Sequence, residues 1–377
     1  MENLFTFDDV LIVPKFSDIE SRRDVDISCN NSGLPYMRLP IISSNMDTVT
    51  GPEMALAMQS YGADAALHRF CSIEENVKMF LSSRSGGTGD TSHPMVSIGL
   101  GTKELERAEA LLAAGAQAFI IDVAHGASVA VVRQARALKD LLKGNGAIIV
   151  GNFATGESLK DFLYSFKFVD GVKVGIGPGS ACTTRIKTGI GVPQLSSIQD
   201  VSRVTKLGGI ALIADGGMKT PGDVAKAIGA GAHAAMIGGI LAGTTESPGE
   251  RFWKDMRGEF RDKYWVFPWV LDANGNKVLD EREEPNLPPF KKYRGSASKE
   301  SYGVQGKDDS WRTAEGESFM VPYKGPVKNI LQDIEGGLRS AFSYVGAINM
   351  KEFHKLCEFV QVSPSTVREN GAHGKSH

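Results

Sequence analysis

The 377-residue sequence predicts an α/β fold, a (β/α)8 TIM barrel with a flap over its C-terminal face and an inserted hairpin-like excursion, on three observations. Eight short β-rich runs recur through the first two thirds of the chain. Segments of helical periodicity separate them, so strand and helix alternate. Polar or glycine residues follow almost every run, as expected where a barrel assembles a site at the C-terminal ends of its strands.

The runs span 40–45, 64–69, 95–100, 118–123, 147–152, 171–176, 211–216 and 233–239. Helical patterns fill 104–116, 128–146 and 221–232, the last with Pro221 placed to start a helix. At the strand ends stand Asn45, Met46 and Asp47; His68 and Arg69; Asp122, with His125 beyond; Gly151 and Asn152; Asp215, Gly216 and Gly217; Gly238 and Gly239. In a barrel all of these share one rim. The glycine pairs after the seventh and eighth runs suit backbone N–H groups offered to a phosphate, although plain left-handed turns also use glycine.

Lys and Arg number 42 against 44 Asp and Glu, a net charge of −2, which gives no general attraction to nucleic acid or to an anionic membrane. A phosphate ligand has to be held locally. The start MENLFTFDDV is acidic where a signal peptide is basic, and no apolar run is long enough to span a bilayer, so a soluble cytoplasmic protein is expected. Cys29, Cys71, Cys182 and Cys357 lack the spacing of a zinc site or a disulfide framework and suit a reducing compartment.

The stretch from Gly171 to Gln194, GVKVGIGPGSACTTRIKTGIGVPQ, organises the rest. An apolar run, Val172, Val174 and Ile176, delivers the chain into a loop with Gly175, Gly177, Pro178 and Gly179, and then Cys182. Ser180, Thr183, Thr184 and Arg185 surround the sulfur with polar groups, a setting for a nucleophilic thiolate. A glycine-rich turn with an incidental cysteine is the other reading of this stretch taken alone.

GPGSACTTR followed by KTGIGVPQLSS resembles the catalytic loop of the IMP dehydrogenase and GMP reductase family, most closely its reductase branch. The likeness continues almost end to end, through FTFDDVLIVP, NMDTVT, ADGGMKTPGDVAKAIGAGA, MIGG, VPYKG and GGLRSAFSYVGA. It implies NADPH-dependent reductive deamination of GMP, with Cys182 attacking C2 of the base and Thr184 and Glu315 supplying the proton for departing ammonia. It also implies a nucleotide site at Asp215, Gly216, Gly217, Gly238, Gly239, Gly295, Ser296, Ala297, Arg312, Thr313, Ala314, Glu315 and Gly316. The dinucleotide would meet Ser21, Arg22, Arg69, Asp122, Val123, Ala124, Ile176, Gly177, Ser340, Ala341, Phe342 and Ser343, with Arg22 or Arg69 on its 2′-phosphate. A K⁺ ion on the carbonyls of Gly177, Gly179, Cys182 and Arg185 and a homotetramer complete what the resemblance implies.

Two features separate the branches. No room exists near 82–94 for the regulatory CBS pair of the usual dehydrogenases, and Tyr302 lacks the preceding arginine of their water-activating pair. A dehydrogenase without CBS domains, acting on IMP with NAD, remains the alternative. GSAS at 295–298 replaces the usual GMSS, which leaves dGMP or another guanine nucleotide open.

A single barrel domain is expected over 1–360, with a disordered tail over 361–377. The polar stretch 295–325 reads as a mobile flap. The stretch 251–292 departs from the family pattern; WVFPWVLDANGNKVLD within it reads as two strands around a turn that cover the site, contact another subunit or pack on themselves. Helical signals resume at 326–341 and 346–358.

Overall fold

A computed structural model describes residues 3–84, 93–251, 289–298, 300, 313–363 and 366. Its strands are β1 (Val10–Ile12), β2 (Ile41–Ser43), β3 (Asp64–Leu67), β4 (Met95–Ile98), β5 (Ala118–Asp122), β6 (Ala147–Phe153), β7 (Gly171–Val174), β8 (Ala211–Asp215), β9 (Ala234–Ile237), β10 (Phe290–Arg294), β11 (Ser318–Pro322) and β12 (Phe359–Gln361). β2 to β9 pair in sequence order, all parallel, and β2 closes on β9 with Ile42 opposite Met236. Each of the eight predicted runs is one barrel strand. Helices return the chain between them, ending with Val327–Val345, which packs against both Pro221–Gly229 and Pro52–Ser60.

Alternation along the strands sorts the side chains into two apolar bodies. Ile42, Ala66, Met95, Ile120, Ile149, Ala211, Ile213, Ala234 and Met236 fill the barrel, which Cys29, Leu34 and Met37 adjoin. Ile41, Leu67, Val96, Phe119, Val150, Val172, Val174 and Leu212 join the sheath packed under the helices. Between the outward Val172 and Val174, Lys173 therefore points inward. Local signals hold the helices at their starts: Ser72 with Glu75 and Thr220 with Asp223 form reciprocal caps, the second with Pro221 in the first turn.

Two antiparallel pairs were not predicted. β1 pairs with β12, Val10 opposite Gln361, and Val362 N–H adds a bond to Asp9 O, while most of the predicted tail over 361–377 lies outside the described residues. β10 pairs with β11, Tyr293 opposite Phe319, which turns part of the predicted flap into a ladder beside the barrel mouth. The predicted hairpin within 251–292 and Tyr302 lie outside the described residues.

Candidate active site

The loop after β7 brings Cys182 to the C-terminal rim. Cys182 N–H donates to Gly179 O at 3.0 Å, closing a tight turn after Gly177, whose φ of +81° is one that glycine adopts readily. The chain then enters the short helix Thr184–Thr188. From the far side comes the segment preceding β11. Thr183 N–H donates to Glu315 O at 2.8 Å, and Glu317 N–H donates to Ala181 O at 2.9 Å. This bridging clamps Glu315 beside the cysteine loop.

The side chains then form one chain of hydrogen bonds. The Cys182 thiol donates to Thr184 Oγ1 at 3.2 Å, and the Thr184 hydroxyl donates to Glu315 Oε2 at 2.7 Å. A proton has a continuous path between sulfur and carboxylate. All three residues line one cleft of about 380 Å³ at the barrel mouth.

Of the predicted nucleotide residues, Asp215, Gly216, Gly295, Ser296, Ala297, Glu315 and Gly316 line this cleft. Gly217, Gly238 and Gly239 sit beside the residues around it: Gly217 abuts Pro178, Gly238 abuts Met46 and Tyr293, and Gly239 abuts Ser180. Thr313 and Ala314 lead into Glu315 without lining it, and Arg312 lies outside the described residues.

Of the predicted dinucleotide residues, Arg69, Asp122, Val123, Ala124, Ile176 and Gly177 line the same cleft. The others form a second cluster. Ser21 caps the turn Arg22–Asp24, and Arg22 Nη2 donates to Tyr344 Oη at 2.9 Å, just past Ser340, Ala341 and Ser343 on their helix. Phe342 is wholly buried and stacked on Phe353, centroids 4.0 Å apart, so its ring serves the core and a ligand at this stretch would meet its neighbours.

Gly177, Gly179 and Cys182 of the predicted cation set line the cleft, while the Arg185 side chain folds back to donate to Val192 O at 2.6 Å. The carbonyls of Gly179 and Arg185 each accept one backbone N–H and keep a second lone pair. No group of three or more His, Cys, Asp or Glu suited to a metal ion occurs among the described residues. A carbonyl cage would be a different kind of site.

Sequence reasoning passed over Lys173, a lysine in the middle of a buried strand. Its Nζ, on a side chain only 1% exposed, lies 2.7 Å from Asp122 Oδ1 and 2.7 Å from Asp215 Oδ2. Burial opposes its charge, but the two carboxylates outweigh that and raise its pKa. Burial likewise opposes the Asp122 charge, and Lys173, Arg69 and a bond from Asn45 more than offset it, so Asp122 is held below the usual carboxylate range. The stem of Lys173 needs Gly151, where a Cβ would stand 2.6 Å from Lys173 Cβ.

Asn45, Met46, Phe70, Asn152 and Tyr293 complete the walls. Tyr293 is carried by β10 and accepts from Ser180 Oγ at 3.4 Å. Arg69 Nε and Asn152 Oδ1 are buried with no hydrogen-bond partner among the described residues, one donor and one acceptor available to a polar ligand. Behind them His68 is buried, which together with Arg294 and Arg107 lowers its pKa to about 4 against the pull of Asp47, so the ring is neutral at neutral pH. Asp47 is itself paired with Arg294, which ties β10 to the segment after β2.

The IMP dehydrogenase / GMP reductase domain model matches residues 4–265 and 275–373. A GMP reductase of Klebsiella pneumoniae is 38% identical over 94% of this chain and 94% of its own length, and one from Escherichia coli is equally similar over the same shares. The inosine-5′-monophosphate dehydrogenase of Cryptosporidium parvum is 32% identical over 98% of this chain and 94% of its own. With its closed eight-strand barrel and its cysteine loop at the rim, the chain belongs to the IMP dehydrogenase / GMP reductase family.

Proposed function

We propose that this protein is an oxidoreductase that converts GMP to IMP and ammonia with NADPH, through a covalent adduct on Cys182. The observation that carries the reading is the hydrogen-bonded series Cys182–Thr184–Glu315. Sulfur attack at C2 of the purine requires loss of the thiol proton, and departure of the 2-amino group requires a proton in return. The series supplies both.

The thiol proton passes through the Thr184 hydroxyl to Glu315 as sulfur bonds to C2. Glu315 returns a proton through Thr184 to the amino group, the C2–N bond breaks and ammonia leaves a thioimidate on Cys182. When bound, NADPH supplies the hydride that C2 accepts before the C–S bond breaks. The balance is GMP, NADPH and two protons giving IMP, ammonium and NADP⁺.

The cleft fits both ligands at their reacting ends. Asp215 and Gly216, with Gly295 to Ala297, suit the nucleotide, and Asp122 to Ala124 with Ile176 and Gly177 suit the nicotinamide side. The orphan donor of Arg69 and orphan acceptor of Asn152 are complementary to a polar dinucleotide. The carbonyls of Gly177, Gly179, Cys182 and Arg185 would hold K⁺, an oxygen cage being the natural setting for such an ion and a brace for the cysteine turn. A homotetramer in the cytoplasm belongs to the same reading.

The Cryptosporidium relative is named for the dehydrogenase reaction, and water, in place of hydride, would then resolve the thioimidate. A paired assay at 340 nm separates the two. NADPH oxidation with GMP, yielding IMP and ammonia and lost in Cys182→Ala, is expected. Reduction of NAD⁺ with IMP instead would overturn the proposal, and turnover with dGMP alone would revise the substrate.

A further inference from the structure

We infer that Lys173 is a positioning residue that ties the nucleotide and dinucleotide halves of the cleft together, by holding Asp122 and Asp215 on one buried ammonium. The inference rests on the reading above, in which Asp215 faces the nucleotide and Asp122 the dinucleotide.

The geometry is that of a bridge. Lys173 comes from β7, Asp122 ends β5 and Asp215 ends β8, so three strands converge on one nitrogen. One oxygen of each carboxylate is taken by Nζ at 2.7 Å, and both side chains keep a partial opening to the cleft, 17% for Asp122 and 21% for Asp215. The second oxygen of each can accept from a ligand donor such as a ribose hydroxyl. No ligand atom needs to reach the lysine itself, which is sealed beneath them.

Each carboxylate therefore reports to the other through a shared counter-charge. A donor that binds Asp215 fixes that carboxylate and the ammonium beneath it, and the fixed ammonium holds Asp122 in one orientation for its own ligand; the reverse holds by linkage. The other charged or titratable groups in reach are Arg69 at the end of β3, which acts on Asp122, and Tyr293 of β10, which with Cys182 lies on the Asp215 side. None of them touches both carboxylates. Without Lys173 the two carboxylates would repel each other in a low-dielectric barrel, which favours uptake of a proton by one of them.

The test uses the full chain as Lys173→Met, Lys173→Met/Asp122→Asn and Lys173→Met/Asp215→Asn, each checked first for folding by circular dichroism and melting temperature. Binding is read by calorimetry with IMP and NADPH, a pair that does not react, each alone and in the presence of the other. The parent is expected to bind NADPH more tightly when IMP is present, and Lys173→Met to lose most of that gain and to show an acid limb of kcat/KM moved toward neutral pH. The double variant lacking Asp122 is expected to recover the parental limb and IMP binding within about threefold while its NADPH affinity stays at least about tenfold weak, with the mirror image for Asp215, the scale of one lost charged contact.

If Lys173→Met does not fold, the two double variants, each freed of one buried acid, carry the test. A lower melting temperature with an unmoved acid limb and intact coupling would overturn the inference, as would equal loss of both ligands in both double variants. Failure of the functional reading is a different result: the parent itself would then consume no NADPH with GMP.

Discussion

Oε2 of Glu315 lies 2.7 Å from Oγ1 of Thr184, although the two residues are 131 positions apart in the chain. The contact is made by backbone rather than by chance packing, because Thr183 N–H is bonded to Glu315 O and Cys182 bridges to Gly316. A glutamate that would otherwise be one solvated charge in a polar stretch becomes the end of a proton path.

Glu315→Gln and Thr184→Val each break that path without removing the thiol. Steady-state assays with GMP and NADPH are expected to show kcat lowered by about 10²- to 10⁴-fold, the range for a general acid–base group, with little change in the KM for GMP. A raised KM with unchanged kcat would assign Glu315 to binding alone.

Gly151→Ala tests the space that Lys173 occupies. The added methyl would stand 2.6 Å from Lys173 Cβ and 3.1 Å from its Cε, within a packed barrel. Urea unfolding should show a loss of roughly 1–3 kcal/mol, the usual range for overpacking. NADPH binding should weaken as the lysine shifts, and a variant as stable and as active as the parent would contradict the packing.

On the proposed reading, Arg22 and Arg69 would divide the dinucleotide between them. The 2′-phosphate lies at the end away from the nicotinamide, and only Arg69 lines the Cys182 cleft where hydride has to arrive. Arg69→Ala should lower kcat/KM for NADPH and NADH together, whereas Arg22→Ala should lower it for NADPH alone. The opposite pattern would place the phosphate at Arg69.

Asp64, at the start of β3, is buried with Oδ2 unpartnered, and burial pushes its pKa up to about 7 against the bond from Ala65 N–H. The folded protein thus holds a proton that the unfolded chain releases near 3.8, so this group's contribution is full below that pH and is lost as pH rises through about 7. The loss amounts to at most about 4 kcal/mol at 1.36 kcal/mol per unit. His233 slopes the other way: burial, with His354 and Lys206, lowers its pKa to about 4, so its contribution is lost as pH falls from 6.5 toward 4. Comparing Asp64→Asn with the parent cancels the histidine. Urea unfolding at pH 5 and pH 8 should show the variant gaining on the parent at the higher pH, and an equal difference at both would refute the assignment.

The barrel was legible because its determinants are local. Each of the eight strands carries its own β-rich run, Pro221 marks a helix start, and the glycines around Cys182 announce a tight turn at a strand end. The family motifs pointed to Thr184 and Glu315 as well. Lys173 was visible only as a polar letter between two valines, and nothing nearby in sequence names Asp122 and Asp215, 51 and 42 positions away, as its partners.

By itself, then, the sequence determined the alternation of strand and helix, the rim at the strand ends and the cysteine loop upon it, since these follow from periodicity, turn residues and motif. Tertiary structure alone decided that Lys173 points inward onto two acids, that β10 and β11 form a ladder beside the mouth, and that Val10 pairs with Gln361. Those arrangements depend on barrel closure and on pairings between distant segments, whose free energy comes from burial and shared hydrogen bonds that no local window of sequence contains.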